Sequence, residues 1–191
     1  MTGVTIMKTA KTIAKTKNLI SLALFQLMLR KDYESINVKE ICEKAGVSRM
    51  SFYRYHNKKE DIFIDYCDQR FEEFYETYLK DKQNITVESF VMDMLTFFKK
   101  YSRQLYILRQ AGKETLLLKQ FNGYAKYLIA HNKSALVQEQ IKNPVMGPFL
   151  AGGFFNVLME WLDDGMEAEP EEVAYHLLQL QSYVKNQMII S

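Results

Sequence analysis

The chain has 191 residues, of which 48% are hydrophobic, so it can bury a core and is too apolar to be intrinsically disordered. The net charge of +2 conceals an uneven distribution. Residues 1–60 carry 12 Lys/Arg and 5 Asp/Glu (+7), whereas residues 61–191 carry 13 and 18 (−5). A basic first third ahead of an acidic remainder predicts that only the first third meets a polyanion.

All of the predicted elements are helices, because apolar residues recur at spacings of three and four and the chain has only 8 glycines and 3 prolines. Residues 1–15 are expected to form a mobile basic arm. The first predicted helix, Thr16–Lys31, follows this arm with leucine and isoleucine on one face.

The next two predicted helices are short and joined by a tight turn. The second helix, Val38–Ala45, begins after Asn37, and a glutamate three residues later completes a capping box. Gly46 ends this helix, because glycine accepts a positive φ without steric cost. Ser48 caps the third helix, Arg49–Tyr55. This spacing predicts a helix-turn-helix.

Further helices are predicted over the rest of the chain, for a total of about nine. They cover approximately residues 59–79, 87–101, 102–112, 115–141 and 146–164, followed by a last helix that starts at Pro170. Gly165 is expected to close the helix before it.

The third helix carries the chemistry of a DNA reader. Phe52 is expected to face inward, which leaves Arg49, Met50, Ser51 and Tyr53 near the exposed start of the helix. Arginine can bind guanine through two hydrogen bonds, serine can reach any base, and methionine can contact the methyl group of thymine. The sequence therefore predicts a helix that enters the major groove.

This arrangement resembles the tetracycline-repressor (TetR) family of bacterial regulators over Leu19–Phe63. The matching parts are Ile41, Ala-Gly-Val-Ser at 45–48, Phe-Tyr-Arg-Tyr at 52–55 and Lys-Glu-Asp-Ile at 59–62. His56 departs from the family pattern, which has phenylalanine there.

The resemblance implies a DNA-binding head, residues 16–60, with three helices. A long fourth helix would join it to a helical body, residues 61–191, that binds a ligand and dimerises. The motif and the resemblance together assign DNA contact to Lys39, Ser48, Arg49, Met50, Ser51, Tyr53, Arg54, Tyr55, Lys58 and Lys59, with Lys58 and Lys59 on phosphates.

The body is rich in aromatic residues, which suits a small apolar or aromatic effector. The candidate ligand-binding residues are Phe97, Tyr101, Phe121, Tyr124, Phe155 and Trp161. The alternative for each of them is ordinary core packing.

Paired glycines inside a helix predict close approach of another helix, because each glycine costs about 1 kcal/mol relative to alanine. The resemblance places the last two helices in a homodimer interface. The candidate interface residues are Phe149, Gly152, Gly153, Leu177, Leu180, Gln181 and Val184. The alternative is that the glycines allow packing within one subunit.

These features predict a ligand-responsive repressor that binds a palindromic operator as a dimer through the third helix. An activator or coactivator controlled by a protein partner is the alternative, and a helical-bundle enzyme is a remote one. No cofactor or metal is expected, because His56, His131 and His176 lack ligand spacing and phosphate-loop and nucleophile motifs are missing. Two cysteines and the lack of a long apolar run predict a cytoplasmic protein without a membrane span.

Overall fold

A computed structural model describes residues 3–80, 82, 85–131 and 144–188, and their side chains between residues 12 and 180. Every regular element in these ranges is helical, which confirms the all-α prediction. The α-helices are α1 (Gly3–Met28), α2 (Val38–Ala45), α3 (Arg49–Tyr53), α4 (Asp61–Phe74), α5 (Val87–Lys100), α6 (Ser102–Gln110), α7 (Glu114–His131), α8 (Met146–Asp163) and α9 (Pro170–Met188). A 3-10 turn, Tyr33–Ser35, precedes α2, and a π-helical turn, Tyr75–Leu79, continues α4.

Several predicted helix boundaries are wrong. α1 spans Gly3–Met28 instead of Thr16–Lys31, and the alanines and lysines before Thr16 are good helix formers that extend the helix toward its start. α3 ends at Tyr53 instead of Tyr55, where the amide of Tyr55 donates to Phe52 and the chain tightens into a turn. Residues 132–141 of the seventh predicted helix lie outside the described residues.

The chain divides into two compact units. The head unit comprises residues 1–72 and 107–120, and the body unit comprises residues 73–106 and 121–191. α4, α6 and α7 each contribute residues to both units. Residues 107–120 belong to the head unit although they lie far from residues 1–72 in the sequence, and no feature of the sequence indicates this.

The head unit is built on apolar faces of short helices. Its most buried side chains, none more than 2% exposed, are Ile20, Leu24, Ile36, Ile41, Phe52, Ile62, Phe63 and Leu108. They come from α1, the chain before α2, α2, α3, α4 and α6, so that each element donates one face to the same unit. Burying one such side chain contributes about 1.5–3 kcal/mol to the free energy of folding, before the loss of conformational entropy is subtracted.

The body unit buries aromatic and aliphatic side chains of α5 and α8. They include Leu95, Phe97, Phe155, Leu158, Trp161 and Leu162. α8 ends at Asp163, and Gly165, which has φ 72°, closes it as predicted; the amide of Met166 donates to the carbonyl of Trp161 at 2.8 Å. α9 then starts at Pro170, as predicted. None of the described helices combines the length and hydrophobicity that crossing a bilayer requires.

Candidate nucleic-acid interface

The turn between α2 and α3 has the geometry that the sequence predicts. Asn37 Oδ1 accepts from the amide of Glu40 at 3.1 Å, and Glu40 Oε2 accepts from the amide of Asn37 at 3.0 Å, which confirms the capping box. Gly46 is left-handed with φ 65°, and the amide of Val47 donates to Cys42 O at 3.0 Å. The chain thus stops α2 and starts α3 within a few residues.

α3 presents one face to solvent and buries the other. Phe52 is fully buried, whereas Met50 is 80% and Tyr53 is 51% exposed. Ser48 Oγ caps the helix by accepting from the amide of Ser51 at 3.0 Å, so the hydroxyls of these two serines are held together. Arg49 is exposed beside Met50. This surface carries a long cation, an apolar tip and a phenol on a single rigid turn.

The end of α3 is fixed by a buried polar cluster. His56, which is 2% exposed, packs on Phe52 with ring centroids 5.3 Å apart, and its Nε2 lies 3.3 Å from Asp65 Oδ2. Lys17 of α1 and Gln69 of α4 also donate to Asp65. Burial acts to raise the pKa of Asp65, but the hydrogen bonds from His56 and Lys17 outweigh it and hold this pKa below its usual range. The cluster joins α1, α3 and α4.

The side chain of Lys59 contacts the segment that precedes α2, residues 33–36. Its ammonium donates to the carbonyls of Tyr33 at 2.8 Å, Glu34 at 3.2 Å and Ile36 at 3.2 Å. An ammonium has three N–H donors, so these carbonyls can occupy all of them. The phosphate contact predicted for Lys59 would compete with the three carbonyls.

The other predicted DNA-contact residues fall into two groups. Those with exposed side chains are Lys39, Ser48, Arg49, Met50, Tyr53, Arg54 and Lys58. Ser51, Tyr55 and Lys59 are half-buried. Lys39 also lies 3.8 Å from Glu43, an exposed pair of little energetic weight. Five residues of the exposed group, at positions 48–50, 53 and 54, lie on α3 or directly next to it in the sequence.

The body unit gathers most of the predicted effector residues into an aromatic cluster. Phe74, Met94 and Phe97 are buried, and the partly buried residues around them are Tyr78, Leu79, Phe90, Phe98, Tyr101, Phe121 and Phe154. Phe155, also predicted, lies 6.0 Å from Phe121 between ring centroids. Tyr101 donates its hydroxyl to Glu73 at 2.6 Å, which places a carboxylate at the cluster.

Two predicted effector residues lie differently. Trp161 is 5% exposed and donates its indole N–H to the carbonyl of Ala168 at 3.2 Å, so it braces the loop between α8 and α9. Tyr124 is half-buried on α7. A cavity of about 130 Å³ also lies beside α7 and α8. Its lining residues are Asn122, Ala125, Lys126, Ile129, Gly147, Pro148 and Ala151, none of which was a predicted effector residue.

Two of the predicted dimer residues are large apolar side chains that lie exposed. Phe149 is 68% and Leu180 is 60% exposed, and Leu177 is half-buried. A Cβ added at Gly152 or Gly153 would meet no atom of the described residues within 4 Å. Among these residues, the two glycines therefore have open space beside them. The side chains of Gln181 and Val184 lie outside the described residues.

Family profiles match both parts of the sequence. The profile of bacterial regulatory proteins of the tetR family matches residues 20–66, and a profile of transcriptional regulator C-terminal regions, TetR_C_8, matches residues 85–183. The chain belongs to the TetR family. It is therefore a transcriptional regulator with a helix-turn-helix, and membership implies DNA binding and dimerisation.

Solved structures of TetR-family regulators share this fold. A TetR transcriptional regulator from Streptococcus agalactiae is 23% identical with a TM-score of 0.62, covering 92% of this chain and 98% of its own. The dihydroxyacetone kinase operon activator DhaS is 17% identical with a TM-score of 0.58, covering 86% and 93%. NalD of Pseudomonas aeruginosa, the secondary repressor of the MexAB-OprM multidrug efflux pump, is 19% identical with a TM-score of 0.56, covering 88% and 94%. No curated protein matches the sequence.

Two residues that organise the head of this TetR-family regulator were not predicted. The sequence could have indicated the role of Lys17, because this lysine lies on the same helix face as the buried Ile20 and Leu24. A charge at such a position needs a partner, which is Asp65. Lys113, whose ammonium lies 4.3 Å from the centroid of the Tyr33 ring, had none, since no local pattern links residues so far apart in sequence.

Proposed function

We propose that the chain is a ligand-responsive repressor that binds a two-fold-symmetric operator as a homodimer through α3. Residues 16–60 supply the reading head, and residues 61–191 bind the effector and form the dimer. The observation that carries the proposal is the division of α3, which buries Phe52 completely and presents Arg49, Met50 and Tyr53 to solvent. The regulator acts in the bacterial cytoplasm, where the DNA lies.

Base reading is assigned to Arg49, Met50 and Ser51, and backbone contact to Tyr53 and Arg54 with the other exposed residues around α3. Base contacts carry specificity, whereas phosphate contacts carry affinity that depends on salt. Replacing Arg49 should relax the sequence preference at one base pair, whereas replacing Lys58 should weaken binding to all sequences alike.

The test is enrichment of random duplexes on the purified protein, followed by binding measurements on the enriched sequence. Arg49→Ala is expected to cost about 1–3 kcal/mol on that sequence and little on a scrambled duplex. Lys119→Ala is the matched control, because Lys119 is exposed on α7, outside the proposed interface. Equal losses for the two variants would reject α3 as the reading element.

Dimerisation is assigned to exposed apolar positions of the last two helices, Phe149, Gly152 and Gly153 on α8 and Leu180 on α9. The exposed ring of Phe149, one turn before two uncrowded glycines, is suited to close packing with a second helix. Two heads related by a two-fold axis can then enter successive major grooves about 34 Å apart. A dimer bound across a promoter blocks polymerase without any further contact, which is the reason to propose repression.

The effector is proposed to be a small apolar or aromatic molecule held by Phe97, Tyr101, Phe121 and Phe155. Support comes from the joining of their rings in one cluster beside the Glu73 carboxylate. Mass spectrometry of an organic extract of the purified protein tests this proposal, and the expected result is a bound apolar or aromatic compound. Phe121→Ala should lower the affinity for that compound and leave the DNA affinity of the free protein unchanged.

Activation under a protein partner is the second candidate. Among proteins of this fold, DhaS is described as an operon activator and NalD as a repressor, so the fold is compatible with either sign. In vitro transcription from a template that carries the enriched sequence separates the two. Repression predicts less transcript on addition of the protein alone, whereas the second candidate predicts more transcript, dependent on a partner.

A further inference from the structure

The turn between α6 and α7 places an ammonium in the head unit. Gly112 is left-handed with φ 65°, and the amide of Lys113 donates to the carbonyl of Leu108 at 3.0 Å. This closed turn sets the direction in which Lys113 leaves the backbone. Its side chain is only 18% exposed although it ends in a charge. The turn lies outside residues 20–66, which match the family's DNA-binding profile.

Two ammonium groups share one aromatic ring and one carboxylate. Lys113 Nζ lies 4.3 Å from the centroid of Tyr33 and 3.5 Å from Glu34 Oε1. Lys59 Nζ lies 4.1 Å from the same centroid and 3.5 Å from Glu34 Oε2. Both cations are thus stabilised by a ring face and an anion in a partly desolvated place. Their mutual repulsion is offset by Glu34.

Tyr33 is the first residue of the 3-10 turn that leads into α2. It is 5% exposed, and its carbonyl accepts from both Ile36 N and Lys59 Nζ. Burial first, and the neighbouring Glu60 carboxylate second, raise the pKa of its phenol. The ring therefore stays neutral, and its position determines where the chain enters α2.

We propose that Lys113 is a positioning residue for DNA binding. Its ammonium holds the Tyr33 ring, and through it residues 33–36 and the start of α2, which carries α3. The inference rests on the proposed role of α3 in reading DNA.

The first experiment measures the salt dependence of binding to a duplex enriched on the wild-type protein. Lys113→Met keeps the apolar stem and removes the charge. It is expected to weaken binding about tenfold, with an unchanged slope of log affinity against log salt, because no phosphate contact is lost. Lys113→Arg should restore the affinity, since a guanidinium also stacks on an aromatic ring. Lys119→Met, an exposed lysine on α7, is the matched control.

Three outcomes of the binding measurements overturn the proposal. Unchanged affinity in Lys113→Met shows that the contact has no positioning role. A slope lower by about 0.9 shows that Lys113 itself neutralises a phosphate. Tyr33→Phe, which keeps the ring, must retain affinity, and its loss would assign the role to the hydroxyl instead.

Hydrogen exchange gives a readout that does not need DNA. Amides of residues 33–47 should exchange faster in Lys113→Met than in Lys119→Met, while amides of α5 and α8 exchange alike. If the wild-type protein enriches no duplex, the proposed function fails, yet this comparison still decides whether Lys113 orders the segment. Equal exchange of residues 33–47 in both variants contradicts the ordering role.

Discussion

The head and body units differ in how their residues find their partners. In the head, Asn37 caps α2 through Glu40, Gly46 ends it, and Ser48 caps α3, all within three or four residues of sequence. In the body, Phe97 and Phe121 join one aromatic cluster from different helices. Interactions between near neighbours in sequence thus position the DNA-binding surface of the head. The aromatic cluster of the body depends on packing between distant residues, and the shape of that packing decides which ligand fits. A DNA-binding surface therefore leaves a clear pattern in the sequence, whereas the identity of an effector does not.

The largest expected effect comes from emptying the core of each unit. Phe52→Ala should cost about 3–5 kcal/mol of stability and abolish binding to the enriched duplex, because the buried ring supports the exposed face of α3. Phe97→Ala should cost a similar amount, since Phe97 is also buried, but leave DNA affinity intact at a temperature where the protein is folded. Urea unfolding and fluorescence anisotropy measure both. A folded Phe52→Ala protein with normal DNA affinity would break the distinction between the units.

The next effect isolates the dimer face of the body. Gly153→Leu adds a bulky side chain at an exposed position, where a Cβ meets no atom of the described residues within 4 Å. It should release monomers in sedimentation velocity and weaken operator binding by about 100-fold or more, since one head makes only half of the contacts. Gly123→Leu, at an equally uncrowded glycine on α7, is the control. A Gly153→Leu dimer of unchanged affinity contradicts the placement of this interface.

A smaller effect tests the polar cluster that joins the head helices. Asp65→Asn should lower stability by about 2 kcal/mol at pH 7, where the wild-type carboxylate accepts hydrogen bonds from charged and polar partners. Because the folded pKa of Asp65 is depressed, its contribution is present above the unfolded pKa of about 4 and is lost as the pH falls through the lower folded pKa. Urea unfolding from pH 7 to pH 2.5 should therefore show a shallower acid loss for the variant. Parallel curves would mean that Asp65 is not the titrating group.

The smallest effect is expected where the sequence departs from the family pattern. His56→Phe removes a contact to Asp65, which keeps Lys17 and Gln69, and it also removes the buried Nδ1, which has no partner among the described residues. These changes offset each other, so stability should change by less than about 1 kcal/mol. Thermal unfolding at pH 7 provides the measurement, with His131→Phe on the surface of α7 as a control. A loss above about 3 kcal/mol would show that the polar cluster depends on His56.

The sequence was sufficient where a residue acts on its immediate neighbours. The capping box, the left-handed Gly46, the left-handed Gly165 after α8 and the start of α9 at Pro170 follow from backbone geometry that only certain residues satisfy. The all-helical class and the family also follow, since they rest on spacing and on several coincident residue types.

The rest depends on distance in space. The phosphate contact of Lys59 stays a prediction, but the three carbonyls that accept from its ammonium lie 23–26 residues away in the sequence, which no local pattern indicates. The effector contact of Trp161 also stays a prediction, and no pattern indicated that its indole N–H donates to the carbonyl of Ala168. No spacing rule links Lys113 to Tyr33. These contacts are set by how the helices pack, which a pattern of residue types leaves open.

The central claim is that a doubled α3 reads duplex DNA, and enrichment of random duplexes on the purified full-length protein tests it most directly. The account predicts a sequence with two inverted half-sites whose centres lie about one helical turn, or a multiple of it, apart, bound with steep salt dependence. A correctly folded protein that retains no double-stranded DNA at low ionic strength would contradict it.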